Sequence, residues 1–164
     1  MRPVTETPTR DPDEVARFVE RFGLILVDAG MPRMPARVFG ALLAAEDGKL
    51  TAAEMADALQ VSPAAISGAV RYLTQINLAF RGRDPGERRD HYEVVDDLWY
   101  MVYADRQKMF ETWSALMSEG VEAVGRDSKA GRRLETSRQF FDFIKVELPK
   151  LMQRWHDFQA SAAK

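Results

Sequence analysis

The sequence predicts a mainly α-helical chain with one short β-hairpin, and three observations lead there. Apolar residues recur at helical spacing over most of the 164 residues. The period changes once, at 78–95, to aromatic and β-branched runs around a turn. A seven-residue apolar repeat then closes the chain. With 46% hydrophobic and 29% charged residues, the composition is that of a globular protein: one domain, or one domain with a helical extension. The net charge of −2 makes no global case for nucleic acid or membrane, so any such case must be local. The absence of cysteine excludes disulfides, thiolate ligation and thiol chemistry, including thiol-based oxidant sensing. No apolar run reaches the ~20 residues that span a bilayer. The opening "MRPVTETPTRDPDE" lacks the apolar core of a secretory signal, so 1–12 is expected to be a flexible leader and the location cytoplasmic.

The first helix is expected over 13–29, with Val15, Phe18, Val19, Phe22, Ile25, Leu26 and Ala29 on one face. Asp11 and Pro12 stand at its start and Gly30 at its end. After the break "GMPRMP", a second helix over 35–46 turns Val38, Phe39, Leu42 and Leu43 inward, and "EDGK" makes a turn. Thr51 and Glu54 form a capping box that starts a third helix, running to Leu59 and burying Met55, Ala56 and Leu59. Only Gln60 and Val61 intervene before Ser62, an N-cap, and Pro63, a first-turn proline. The fourth helix carries Ile66, Ala69, Val70 and Leu73 inward and ends near Asn77. "LAFRG" and "HYEVV" then form a hairpin around "RDPGERRD". From Leu98 the chain is helical again, in two pieces separated by "VGRDSKAGR". The last piece bears the repeat, with Leu134, Phe141, Leu148 and Trp155 in one row and Ser137, Ile144, Leu151 and Phe158 in the other. Pro149 is expected to kink it.

Two short helices joined by a tight turn and followed by a basic hairpin form the pattern of a winged helix-turn-helix, a three-helix core plus a β-hairpin wing. The helix pair alone also fits an αα-hairpin in a bundle, and Gln60 occupies a turn position often held by glycine. Charge favours the winged reading. Residues 62–89 hold five arginines against two acids, a local net of +3, which leaves −5 for the remainder of a chain totalling −2.

The run "LTAAEMADALQVSPAAISGAVRYLTQINLAFRGRDPGERRDHYEV" resembles the MarR superfamily of winged-helix transcriptional regulators. "GMPRMPARVFGALL" before it is similar to the GbsR-like branch, and "DPGERR" resembles the D-P-x-D-R-R wing, with Glu87 for the usual second aspartate. The resemblance implies a DNA-binding regulator, repressor or activator, acting as a homodimer, often under a small-molecule effector. It makes 62–71 the recognition helix and places Arg83, Arg88 and Arg89 in the wing, leaving open which arginine enters the minor groove and which pairs with an acid. It also divides the chain into the leader 1–12, a dimerisation helix 13–30, the winged helix-turn-helix 31–97 and a C-terminal dimerisation region 98–164.

The expected DNA-facing residues of the recognition helix are Ser62, Pro63, Ala64, Ser67, Gly68 and Arg71. Few of these hydrogen-bond base edges, so affinity should lean on phosphates and the wing, and specificity on DNA shape and half-site spacing. Gly68 admits two accounts, close approach to DNA or tight helix packing. A dimer interface is expected from Val15, Phe18 and Phe22 together with Leu134, Phe141, Ile144, Leu148, Leu151, Trp155 and Phe158, although an intrachain bundle would use the same heptads. Trp99, Tyr100, Tyr103, Phe110 and Trp113 are candidates to line an apolar effector pocket, or to form ordinary core. No enzyme is expected, and no cofactor or metal. His91, read as a surface wing residue, and His156, near the end of the last helix, flank no nucleophile or ligand cluster, and no phosphate loop is present.

Overall fold

The computed structural model describes residues 10–95, 98–99 and 106–162. Two compact units divide at residue 96. The first contains α1 (Pro12–Asp28), α2 (Arg33–Ala44), β1 (Lys49–Thr51), α3 (Ala52–Leu59), α4 (Pro63–Gln75), β2 (Phe80–Gly82) and β3 (His91–Glu93). The second contains α5 (Arg106–Val124) and α6 (Lys129–Ala162). Among the described residues no helix is long and apolar enough to cross a membrane.

In the first unit, α2 is the central helix, packed against α1, α3 and α4. Phe39, Leu42, Met55, Ile66 and Leu73 are fully buried there, matching the inward positions that periodicity assigns. Burying side chains of this size contributes about 1.5–3 kcal/mol each. The caps also match. The Asp11 carboxylate accepts from the backbone N–H groups of Asp13 and Glu14, Thr51 and Glu54 complete their capping box, and Ser62 accepts from Ala65. Three helices end alike: Gly30, Gln60 and Asn77 take positive φ, and the next residue donates to a carbonyl five positions back (Met31 to Leu26, Val61 to Ala56, Leu78 to Leu73).

Three expectations need correction. The second helix begins at Arg33, not residue 35, because Pro35 is tolerated in a first turn whose N–H groups have no intrahelical partner; it ends at Ala44, where the chain turns through Gly48. "EDGK" also leads into a third strand. β1 pairs antiparallel with β3, giving the order β1-β3-β2, with Leu50 opposite Tyr92 and Tyr92 opposite Arg81. Three residues are too few to show alternation, and the last of them, Thr51, doubles as the cap of α3. His91 is buried rather than at the surface. It lies opposite Gly82, and its ring fills the space a side chain there would take: a Cβ on Gly82 would come within 2.5 Å of Nε2.

The second unit is a helical hairpin. Ser114 Oγ donates to Asp142 at 2.6 Å, Phe110 and Trp113 pack on Phe141, and Gly120 faces Leu134, so the two helices run antiparallel. Helix α6 continues through Pro149. Arg138 bridges Glu135 and Asp142, and its hydrogen bond with Glu135 lowers that carboxyl from 4.5 to about 2. A carboxyl with a depressed folded-state pKa stabilises above its unfolded value and loses that contribution as pH falls through the folded one. Melting temperature should therefore fall as pH drops from about 4.5 towards about 2, and Glu135→Gln should flatten that dependence in a thermal melt series; an unchanged slope would show the bridge to be inert.

Candidate nucleic-acid interface

The α3–α4 pair meets through a three-residue turn, 60–62, in which Gln60 sits at φ 52, ψ 51, left-handed despite its side chain. Its amide N–H bonds back to Ala56 and Asp57, and its side-chain amide donates to the Asp57 carbonyl at 2.7 Å. Arg37 of α2 secures the joint, donating to the free Leu59 carbonyl at 3.1 Å and to Glu20 of α1 at 2.7 Å. With Ile66, Ala69, Val70 and Leu73 buried, Ser62, Pro63, Ala64, Ser67, Gly68 and Arg71 are all exposed on one side of α4. A Cβ on Gly68 would meet nothing within 4 Å, which removes the helix-packing account of this glycine.

The wing is shaped by two aspartates. At its tip Glu87 N–H donates to Asp84 C=O at 3.0 Å, with Pro85 second and Gly86 third at φ 88, as a type II turn requires. The Asp84 carboxylate accepts from Lys49 of β1 at 2.8 Å, a bond that holds its carboxyl below the usual range and Lys49 above it. The Asp90 carboxylate accepts from both Arg81 and Arg83, with Arg83 Nε at 2.8 Å, and those two bonds depress its carboxyl. Arg83 is thus tied to the strand. Arg88 and Arg71 make no ion pair among the described residues, and the charge of Arg89 helps to lower the Glu54 carboxyl after the Thr51 hydrogen bonds. Of the five arginines in 62–89, two are ion-paired to the single carboxylate of Asp90, one residue beyond that window, which offsets one of their two charges.

Lys49, Arg81, Asp90 and Tyr92 were absent from the expected site. Arg81 and Tyr92 share a face because the register of β2 and β3 sets them directly opposite, and that register is not written in either three-residue strand alone. Among the aromatics, Phe110 and Trp113 pack on Phe141 of α6, Trp99 is half-exposed, and Tyr100 and Tyr103 lie outside the described residues. In α1, Val15 is half-buried, Phe22 lies between Phe18 and Phe39, and Phe18 remains exposed. Leu134, Ile144 and Leu148 are half-buried, while Leu151, Trp155 and Phe158 are exposed.

Helix pair, buried crossing and three-stranded wing define a winged helix-turn-helix, and a crystal structure of a transcriptional regulator shares the fold (TM-score 0.76, 23% identity, 88% of this chain and 99% of that one). Residues 29–90 match the profile of the MarR family, and 97–158 match that of MmpR5-like MarR family transcriptional regulators. The HTH-type transcriptional regulator MmpR5 of Mycobacterium tuberculosis (strain ATCC 25618 / H37Rv) is 25% identical over 146 residues, 88% of each chain. Both profiles and this relative are of MarR-family transcriptional regulators, a family of regulators rather than enzymes.

Open space at Gly68 yields a test that separates stability from function. Gly68→Ala should stabilise the fold by about 1 kcal/mol, since alanine is the better helix former. It should also weaken DNA binding by crowding the duplex. Unchanged affinity alongside a raised melting temperature would remove Gly68 from the interface.

Proposed function

We propose that the protein binds a pseudo-palindromic operator as a homodimer and regulates transcription from it. The observation that carries this reading is the exposure, on one unit, of a polar-poor helix face ending in Arg71 and of Arg88 just after the hydrogen-bonded wing turn, both cations without an ion-pair partner among the described residues. A bare helix docks closely in the major groove, with Ser62, Ser67 and Arg71 as its polar contacts and Ala64 beside a thymine methyl. Arg88 at the tip is placed to enter the minor groove, with Arg89 beside it and Arg83 holding the strand.

Dimerisation is supported by the apolar residues left exposed on both units, with Phe18 on α1 and Leu151, Trp155 and Phe158 on α6. A two-fold dimer sets recognition helices about 34 Å apart and so selects a palindrome. A small apolar effector, held by aromatics such as Trp99 and Trp113, and a cytoplasmic location complete the reading. The GbsR-like affinity rests on 30–43 alone, whereas the match over 97–158 is to MmpR5-like regulators.

Genome-wide recovery of bound DNA should return a site with two-fold symmetry. On that duplex, Arg71→Ala should weaken binding and relax specificity. A double Arg88→Ala, Arg89→Ala change should weaken binding alike on all sequences, and lower the salt dependence by about 0.9 in slope for each phosphate that is no longer neutralised. Sedimentation should give a dimer at micromolar concentration, and a monomer would overturn the seam. If no duplex binds in a salt-sensitive way, the chain is instead a winged-helix interaction module.

A further inference from the structure

We propose that the groove between α4 and the Arg81–Tyr92 face of the wing seats a DNA backbone phosphate, with the Tyr92 hydroxyl and the Arg81 guanidinium as its donors. The proposal rests on the DNA-binding reading and adds to it a site for one chemical group, a phosphodiester.

The two sides of the small sheet differ in charge. The groove against α4, about 440 Å³, is lined by Ser67, Arg71, Thr74, Phe80, Arg81 and Tyr92 among others, and no carboxylate lines it. The groove on the side of α3 is lined by Asp47, Glu54, Asp57, Asp84 and Glu87, against which stand Lys49, Arg89 and His91. Only the first suits a polyanion.

Its location is also the one a duplex requires. With α4 in the major groove and the wing tip in the adjacent minor groove, the sugar-phosphate backbone that separates the grooves must cross the space between them. That space is this groove.

Its donors are prepared. Arg81 and Tyr92 are directly opposed across β2 and β3, so their side chains share a face. Asp90 accepts from Nε and Nη2 of Arg81, which fixes the guanidinium while leaving three of its five N–H donors unused. The Tyr92 hydroxyl has no hydrogen-bond partner among the described residues and is half-buried at the groove wall. Thr74 is not a donor, because its hydroxyl bonds to the carbonyls of Val70 and Arg71 in its own helix.

The test uses the duplex defined by genome-wide recovery, with single neutral methylphosphonates placed along each half-site. Tyr92→Phe removes one hydroxyl, so its melting temperature should equal that of the wild type. Its affinity should fall roughly tenfold, as for the loss of one hydrogen bond to a charged group, equally for all sequences. One methylphosphonate position per half-site should weaken the wild type, and its penalty should shrink in the variant, the signature of a shared contact. Wild-type affinity in Tyr92→Phe, or fully additive penalties at every position, would overturn the phosphate seat; if the Arg88, Arg89 double variant had meanwhile lost binding, the regulator reading would stand without it. A wild type that binds no duplex in a salt-sensitive way would take both readings down.

Discussion

Everything the first unit can present to a partner depends on the joint between α3 and α4. Four backbone carbonyls at the end of α3 lose their helical partners, and the chain must change direction within three residues. The left-handed turn at Gln60 recovers two of them through its own amide and that of Val61. Of the other two, the Leu59 carbonyl is reached by Arg37, which also grips Glu20. One guanidinium thus ties three helices to the joint that aims α4, and an interaction of this kind is worth about 1.5–3 kcal/mol where a charged donor is involved. The left-handed conformation costs a residue with a side chain about 1–2 kcal/mol, so the joint persists because the surrounding bonds outweigh that strain.

The wing obeys a different economy of charge. It is too short to own a core, and two carboxylates hold its arginines and its base in place instead. Asp84 clamps the hairpin to β1, and Asp90 fixes two guanidiniums along one strand. Such exposed pairs add little to stability. Their effect is geometric: they sort cations held in the scaffold from cations left at the tip, something a tally of residue types cannot do.

Helix positions and core were legible because periodicity and caps are local signals. Val38, Phe39, Met55, Ile66 and Leu73 follow from spacing, and Thr51, Ser62 and Asp11 from capping chemistry. Strand β1 was not legible, since three residues carry no period and Thr51 already answered to the helix. The left-handed conformations of Gln60 and Asn77 were hidden because neither residue announces it as Gly30 does. At the candidate interface, the exposed face of α4 could be read from its buried face by subtraction. The sorting of wing arginines could not: it depends on Asp90 and Lys49, which approach only once the strands are paired. Burial of His91 likewise needed the register, which sets it against a residue without a side chain.

That last contact ties two distant positions into one evolutionary unit. Because the His91 imidazole occupies the volume beside Gly82, residue 82 has no freedom to grow while a large ring stands opposite. Related wings should therefore carry bulk at one of the two sites and not both. A lineage exchanging one for the other must pass through either a clash or a hole, so the pair should change together or stay as it is.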